Sequence, residues 1–221
     1  QMGGDKTSLP AEQPAHAVTM PAAFSVARYE VPQNLWEAVM GDNPSKWKGP
    51  RNSVEMLSFD AAQKFCKKIT LLMRDAELIE ANEVVRLPSE AEWEYFARAG
   101  TTTKYSFGNR EESLDDFGWH TGNAAGNDPP VGAKKPNPWG LYDIHGYLWE
   151  WCLDTGHPNY NAAPRDGSAW IDATNSTRVL RGGSWKDKAA KLTSSFRYVA
   201  PATLEDDAVG LRCVLAPRSS Q

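Results

Sequence analysis

Two acidic residues in the segment GLYDIHGYLWEWCLD, residues 140–154, have the type and spacing to bind a hard cation. Asp143 and Glu150 flank a turn that contains Gly146. Calcium takes about six to eight oxygens from carboxylates and from the carbonyls of irregular turns, so the carbonyls of Gly146 and Leu148 would complete a partial site. The spacing leaves a second interpretation open, in which Asp143 caps the turn and Glu150 joins a buried hydrogen-bond network.

Other patterns of chemical interest are sparse. The four histidines lack the spacing of metal ligands, and we expect His145 to be a turn residue although it lies in the acidic segment. Glycine-rich dinucleotide and phosphate motifs and zinc-protease motifs are absent from the sequence. The sequence therefore contains no fingerprint for a flavin or nicotinamide, and a redox cofactor remains unknown.

Composition excludes some classes of partner. The net charge is −4, with acidic and basic residues interspersed, which argues against a nucleic-acid partner. No apolar run reaches the roughly 18 residues that a membrane-spanning helix needs. Residues 1–13 are polar and are predicted to form a flexible leader, of the kind left when a signal peptide has been removed.

The elements that must position these residues are few. Nine tryptophans, 17 glycines and 15 prolines indicate a chain rich in turns and held by large aromatic side chains. Apolar periodicity predicts helices over 58–81 and 34–40, and Ser89 with Glu92 forms a capping box for a third helix over 89–99. Strands are predicted at 16–29, 178–181 and 209–215, so the two ends of the chain would pair. We expect one α+β domain with two main helices, small antiparallel sheets and much irregular loop.

Several longer blocks resemble a known family. RLPSEAEWEYFARAG at 86–100, PNPWGLYDIHGYLWEW at 136–151, RVLRGGSW at 178–185 and VGLRC at 209–213 resemble, in this order, the signature blocks of the formylglycine-generating enzyme (sulfatase-modifying factor) family. ARYEVPQNLWEAVMGDNPSKWKG and SVEMLSFDAAQKFC resemble its N-terminal blocks. The resemblance covers residues 14–216, with a tail at 217–221, and implies a variant of the C-type lectin fold.

The resemblance also implies binding sites and a disulfide. It implies structural calcium held by Asp143, the carbonyls of Gly146 and Leu148, and Glu150. A second calcium site would use Asn123 and the carbonyl of Ala124, in a loop at 122–128 that is shorter than the family's. Cys66 is expected to pair with Cys213 in an oxidising compartment, leaving Cys152 buried and free. The alternative is three reduced cysteines in a cytosolic protein.

The expected chemistry departs from that of the family. Formylglycine-generating enzymes bind copper through two cysteines that follow the GGS motif, and the corresponding residues here are Asp187 and Leu192. Copper(I) prefers thiolates, so we expect no copper. The fold would instead build a substrate groove, with Asp187 as general base and Arg197 as the second catalytic candidate. Its other lining residues would be Tyr147, Trp149, Ser184, Trp185, Lys188, Lys191 and Tyr198. For each residue a packing or surface role remains open.

Three classes of function remain. Family members without the copper cysteines include a periplasmic protein that oxidises the dihydropyoverdine chromophore of a siderophore. That likeness implies a periplasmic oxidoreductase that acts on a siderophore precursor, with other periplasmic maturation proteins as candidate partners. The first alternative is a non-catalytic ligand-binding or scaffolding module. The second, a partner domain of a larger iron oxidase, is disfavoured because no histidine triad precedes the domain.

Overall fold

The computed structural model describes residues 1–20, 22–124 and 129–218. Its helices are α1 (Gln33–Met40), α2 (Phe59–Asp75), α3 (Glu90–Arg98) and the single turn α4 (Leu114–Phe117). Its strands are β1 (Ser25–Val26), β2 (Glu83–Arg86), β3 (Trp149–Thr155), β4 (Thr177–Arg181), β5 (Arg197–Pro201), β6 (Val209–Gly210) and β7 (Val214–Pro217). Short 3-10 turns and long loops connect them, and the predicted α+β class is confirmed.

The helix ends follow local chemistry. Ser89 Oγ accepts a hydrogen bond from the Glu92 backbone N–H, and the Glu92 carboxylate accepts one from the Ser89 N–H, so the predicted capping box of α3 is confirmed. Helix α2 begins after the cap Ser58 but ends at Asp75. The predicted helix over 58–81 is therefore too long, because the chain turns at Glu77 with a φ of 57° and then enters β2.

The first sheet joins the two ends of the chain. Strand β7 lies between β1 and β2 and is antiparallel to both, with Ser25 opposite Leu215 and Val85 opposite the same leucine. The predicted pairing of the chain ends is confirmed. Within the described part of 16–29, however, only Ser25–Val26 is a strand, so the strand predicted there is mostly wrong.

The second sheet has the order β5-β4-β3-β6. Its β3–β4 and β4–β5 pairs are antiparallel, whereas β3 and β6 run parallel, which corrects the expectation of purely antiparallel sheets. Strand β3, which contains most of the aromatic and acidic stretch, was not predicted. Four of its seven residues are aromatic or apolar and nearly all seven are buried, so it lacks the alternation of a strand with one exposed face.

Two apolar clusters hold the sheets and helices together. Trp36 of α1 stacks on Phe65 of α2 with ring centroids 5.2 Å apart, and this cluster extends to Trp151 of β3. Trp93 and Phe96 of α3 pack with Cys152 and Val179 in the second cluster. Helix α3 is thereby fixed against the second sheet.

Parts of residues 1–13, which were predicted to form a flexible leader, pack against the domain. Met2 is buried and pairs with His16 in a short antiparallel bridge. The Gly3 N–H donates to Glu94 Oε1 over 2.8 Å, and residues 10–12 form a 3-10 turn. A segment rich in polar residues is held here because Glu94 and Arg98 of α3 bind the backbone of Gly3. Among the described residues, no helix is both long and apolar enough to cross a membrane.

Candidate functional site

The candidate groove lies where the end of β4 faces the start of β3. Gly182 and Gly183 follow β4 with φ values of 98° and 77°, a left-handed backbone that favours glycine. A Cβ at Gly183 would lie 2.8 Å from the Leu192 side chain. This tight turn carries Ser184 and the residues that follow it towards Trp149, the first residue of β3.

Asp187 is the centre of a polar network. Its Oδ2 accepts hydrogen bonds from Trp149 Nε1 over 2.8 Å and from Ser184 Oγ over 2.6 Å. Its Oδ1 pairs with Lys191 Nζ at 2.9 Å. The carboxylate is nearly buried, whereas the Lys191 side chain is 52% exposed. Four of the predicted groove residues, Trp149, Ser184, Asp187 and Lys191, are therefore brought together.

An aromatic wall adjoins this network. The Trp149 ring lies 5.4 Å from the ring of Tyr198 and 5.9 Å from that of Phe196. Tyr198 is 44% exposed, so part of the wall faces solvent. Lys188 is exposed on the same loop as Asp187. Aromatic faces beside two solvent-reaching lysines suit a planar ligand that carries negative charge.

Two tryptophans meet at Asp207 on the rim. Trp185 Nε1 donates to the Asp207 carbonyl over 3.1 Å, and Trp47 Nε1 donates to its Oδ2 over 3.2 Å. Lys46 and Lys186 pair with the same carboxylate, and their charges hold the pKa of Asp207 below its usual range despite burial. Trp47 is 46% exposed and was missed by the sequence analysis, although it lies within the quoted block NPSKW.

Tyr147 is buried away from the groove surface. Its hydroxyl donates to the Pro129 carbonyl over 2.6 Å and accepts from the Ser53 N–H over 3.1 Å. Only 5% of the residue is exposed. The structure therefore places Tyr147 as a packing residue that links three loops, in contrast to its predicted place in the groove lining.

Arg197 lies in a buried ion network and makes no contact with Asp187. Its guanidinium binds both oxygens of Glu90, over 2.8 and 2.7 Å. Arg181 bridges Glu90 and Glu94 over 2.9 and 2.6 Å. Burial opposes ionisation of Glu90, but the two guanidiniums hold its pKa below its ordinary value. This arrangement supports the packing alternative for Arg197 and separates it from the groove.

The acidic segment forms a second buried network. Both oxygens of Glu150 accept from Arg212, over 2.8 to 3.1 Å, and Oε2 also accepts from Trp93 Nε1 over 2.7 Å. Asp143 Oδ2 accepts from the Gly132 N–H over 2.7 Å, while Oδ1 is buried with no hydrogen-bond partner among the described residues. Burial raises the pKa of Asp143 to about 6. Glu150 thus fits the hydrogen-bond alternative, and Asp143 retains a free oxygen for a cation.

Glu30 is a third carboxylate in this network, and no sequence pattern linked it to the segment. It is fully buried, its Oε1 accepts from the Leu148 N–H over 3.2 Å, and its Oε2 has no partner in the part of the chain that the structure describes. Burial and the nearby charges of Glu150 and Asp143 raise its pKa well above the ordinary value. Two carboxylate oxygens have no partner there, and the carboxylates of Glu30, Asp143 and Glu150 outnumber the cation Arg212. Both features suit a calcium ion. Among the described residues, however, no three acidic, histidine or cysteine side chains converge as a metal cluster.

The second predicted calcium loop is described only in part. Asn123 Nδ2 donates to Asp115 Oδ1 over 3.1 Å and to the Gly118 carbonyl over 3.0 Å, and its Oδ1 accepts from the His120 N–H. Ala124 is buried. Residues 125–128, where the rest of this site was predicted, lie outside the described residues. Asn123 therefore holds its own loop together.

The cysteines lie where the resemblance implies. Cys66 Sγ and Cys213 Sγ are 3.8 Å apart, as free thiols in this structure, so their pairing stays a prediction. Cys152 is fully buried, and burial raises the pKa of its thiol well above the ordinary value. An inert Cys152 is consistent with that environment.

His145 is a buried turn residue, as expected. Its Nδ1 lies 2.8 Å from the Leu192 carbonyl, and its Nε2 accepts from the Ser106 N–H over 3.0 Å. Burial lowers the pKa of His145 to about 4, which keeps the ring neutral. The ring therefore links the acidic segment to the loop after Asp187.

Comparison with known proteins agrees with the geometry. Residues 1–217 match the family model described as sulfatase-modifying factor enzyme 1-like domain. The chain belongs to this family. The fold is accordingly the formylglycine-generating-enzyme-like variant of the C-type lectin fold, and the match from residue 1 includes the segment predicted as a leader.

Two solved structures and one curated relative are informative. Treponema denticola variable protein 1 has a TM-score of 0.88 at 29% identity, covering 98% of this chain and 91% of that protein. PvdO from Pseudomonas aeruginosa has a TM-score of 0.84 at 27% identity, covering 97% and 89%. The formylglycine-generating enzyme of Streptomyces coelicolor is 36% identical over 45% of this chain, and the match spans only 36% of that enzyme.

Proposed function

We propose that this chain is a periplasmic tailoring protein of siderophore biosynthesis that oxidises the dihydropyoverdine chromophore to pyoverdine. The observation that carries the proposal is the Asp187 network at the place of the family's copper cysteines. An acceptor of protons there suits a substrate that reacts with oxygen once deprotonated, and needs no thiolate metal site. The similarity to PvdO over nearly the whole chain supports the same assignment.

The reaction balances with dioxygen as the electron acceptor. The substrate loses two hydrogens, the new double bond completes the aromatic ring, and dioxygen becomes hydrogen peroxide. Trp185 and Tyr198 supply aromatic faces for the chromophore, and Lys188 and Lys191 supply positive charge. Half of the Lys191 side chain is exposed, so its ammonium group can turn from Asp187 Oδ1 to an anionic group of the chromophore, and Oδ1 is then free to accept the proton.

Structural calcium is the second part of the proposal. Asp143 and the carbonyls of Gly146 and Leu148 would bind the ion, with Glu30 as a ligand added from the structure. The unpartnered Asp143 Oδ1 and Glu30 Oε2 support this, whereas Glu150 is occupied by Arg212. The ion would neutralise buried carboxylates and fix the turn before β3, and so position Trp149.

The test is mass spectrometry of dihydropyoverdine incubated in air with the purified protein. We expect a protein-dependent product lighter by two hydrogens, with hydrogen peroxide in equal amount, and a large loss of rate in Lys191→Met. Arg110→Met is the matched control, because the Arg110 side chain is 83% exposed and lies outside the groove. Tight binding with no product would overturn the oxidase assignment.

A second candidate function is a recognition module without chemistry. It is favoured by one observation: the Asp187 carboxylate already accepts three hydrogen bonds, which leaves little capacity to take a substrate proton. In that case the chromophore would bind in the groove and leave unchanged. Isothermal titration beside the mass measurement separates the two functions, because only the oxidase alters its ligand.

A further inference from the structure

Helix α2 exposes an apolar stripe on the face opposite its buried side. Leu71 is 59% exposed and Leu72 is 51% exposed. Lys68 and Asp75, one turn before and one turn after them, are exposed too. These four residues have the spacing i, i+3, i+4 and i+7, so they form one stripe along the helix. Most buried residues of α2, among them Phe59, Ala62 and Cys66, lie on the other face, and Phe65 lies at the edge of the stripe beside Leu72.

The charges on this stripe are separated along the helix. Lys64, Lys67 and Lys68 are exposed in its first part, whereas Asp75 and Glu77 are exposed at its end. An acid in the last turn is unfavourable, because the helix dipole places negative charge there. Neither Lys68 nor Asp75 forms an ion pair within the described ranges. A contact outside this chain would pair both of these charges.

The pattern is complementary to itself under a two-fold rotation. If two copies of α2 cross antiparallel, Leu71 of one copy packs on Leu72 of the other. Lys68 of one copy then faces Asp75 of the other. The Leu71–Leu72 pair and the Lys68–Asp75 pair both form because each is symmetric about the point between residues 71 and 72. A two-fold interface uses the same patch on both subunits, so each such contact forms twice. Two leucine contacts and two ion pairs would result.

We infer that the Lys68-Leu71-Leu72-Asp75 stripe of α2 is a self-association surface whose partner is a second copy of this chain. One helix face is smaller than the roughly 800 Å² per partner of a standard interface, so the dimer is weak and transient. The stripe lies on α2, and none of its residues belongs to the Asp187 network. This inference does not depend on the proposed function.

Sedimentation velocity from about 1 μM to about 1 mM protein tests the inference, since it spans the range of weak dissociation constants. We expect the wild type to dimerise with rising concentration. Lys68→Glu and Asp75→Lys should each weaken dimerisation by about tenfold or more, because each places like charges opposite each other twice. Mixing the two variants in equal amounts should restore the dimer, since the mixed pair has opposite charges at both contacts.

Two further variants complete the experiment. The double variant Lys68→Glu with Asp75→Lys should dimerise like the wild type, and Arg110→Glu, a charge reversal elsewhere on the surface, should have no effect. Circular dichroism confirms that each variant is folded. A wild type that stays monomeric throughout would overturn the inference. So would a dimer that Lys68→Glu leaves unchanged, or a mixture that fails to recover.

Discussion

Trp149 Nε1 donates a hydrogen bond to Asp187 Oδ2 over 2.8 Å, so the first residue of β3 and the loop after β4 share one buried acceptor. This bond connects the aromatic wall of the groove to the buried carboxylate of Asp187. Asp187 therefore has a structural role whether or not it also takes a proton.

Removal of the Asp187 carboxylate should destabilise the fold. Asp187→Ala leaves Trp149 Nε1 and Ser184 Oγ buried without their acceptor, which we expect to lower the free energy of unfolding by about 1–3 kcal/mol. Urea denaturation measures this. Lys188→Ala, an exposed change on the same loop, should stay within about 0.5 kcal/mol. Equal stability of the two variants would show that the network contributes little.

Arg197→Ala should destabilise the protein more strongly. It leaves Glu90 with only Arg181 as a cationic partner in a buried position, and breaking a buried ion pair costs about 3–5 kcal/mol. Tyr198→Ala, at the next residue and exposed, is the control and should affect ligand binding instead. If Arg197→Ala abolished turnover at wild-type stability, the residue would belong to the catalytic groove after all.

Protein folded in an oxidising compartment should contain one free thiol. Cys66 and Cys213 are 3.8 Å apart and 147 residues apart in the chain, so their bond would stabilise the fold by about 4–5 kcal/mol in the chain-entropy model. Alkylation followed by mass spectrometry counts the free thiols, and denaturation with and without reductant measures the stability. Three alkylated cysteines in unreduced protein would support the reduced alternative.

Asp154 should make the fold more stable in mild acid. Burial, followed by the charge of Glu90, raises the pKa of Asp154 to about 7, from an ordinary value of 3.8. Between these two pH values the folded protein binds more protons than the unfolded chain, so this group's contribution to stability falls as the pH rises. Asp154→Asn should remove this pH dependence of the free energy of unfolding between about pH 4 and pH 7. Any change in stability that the substitution causes equally at every pH does not affect this test. Parallel pH profiles for both proteins would refute the shift.

Calcium should raise the melting temperature. The ion would bind the unpartnered oxygens of Asp143 and Glu30, which lie in the same buried network as Glu150. Thermal denaturation in calcium and in chelator, together with metal analysis, tests this. Asp143→Asn should abolish the calcium response, while Asp166→Asn, an exposed carboxylate, should retain it. No bound calcium and no shift in the wild type would remove the metal from the proposal.

Much of the fold follows from local sequence. The α3 capping box spans four residues, Ser89 to Glu92, and forms as predicted because its partners are neighbours in the chain. The pairing of the chain ends is confirmed, although β1 keeps only Ser25–Val26 of the strand predicted over 16–29. Strand β3 was missed, because burial on both faces removes the alternation by which strands are recognised. The end of α2 was missed because the chain turns at Glu77 and then enters β2.

The sequence by itself determined the family and the α+β class, since these depend on residue types in a fixed order. Only the tertiary structure decided which residues share a site. Asp187 and Arg197 are ten residues apart, yet side chains of β5 alternate between faces, so Arg197 points into the ion network while Tyr198 reaches the groove. Glu30 reaches Asp143 and Glu150 only through the packing of distant segments, and no spacing in a linear sequence records such a contact.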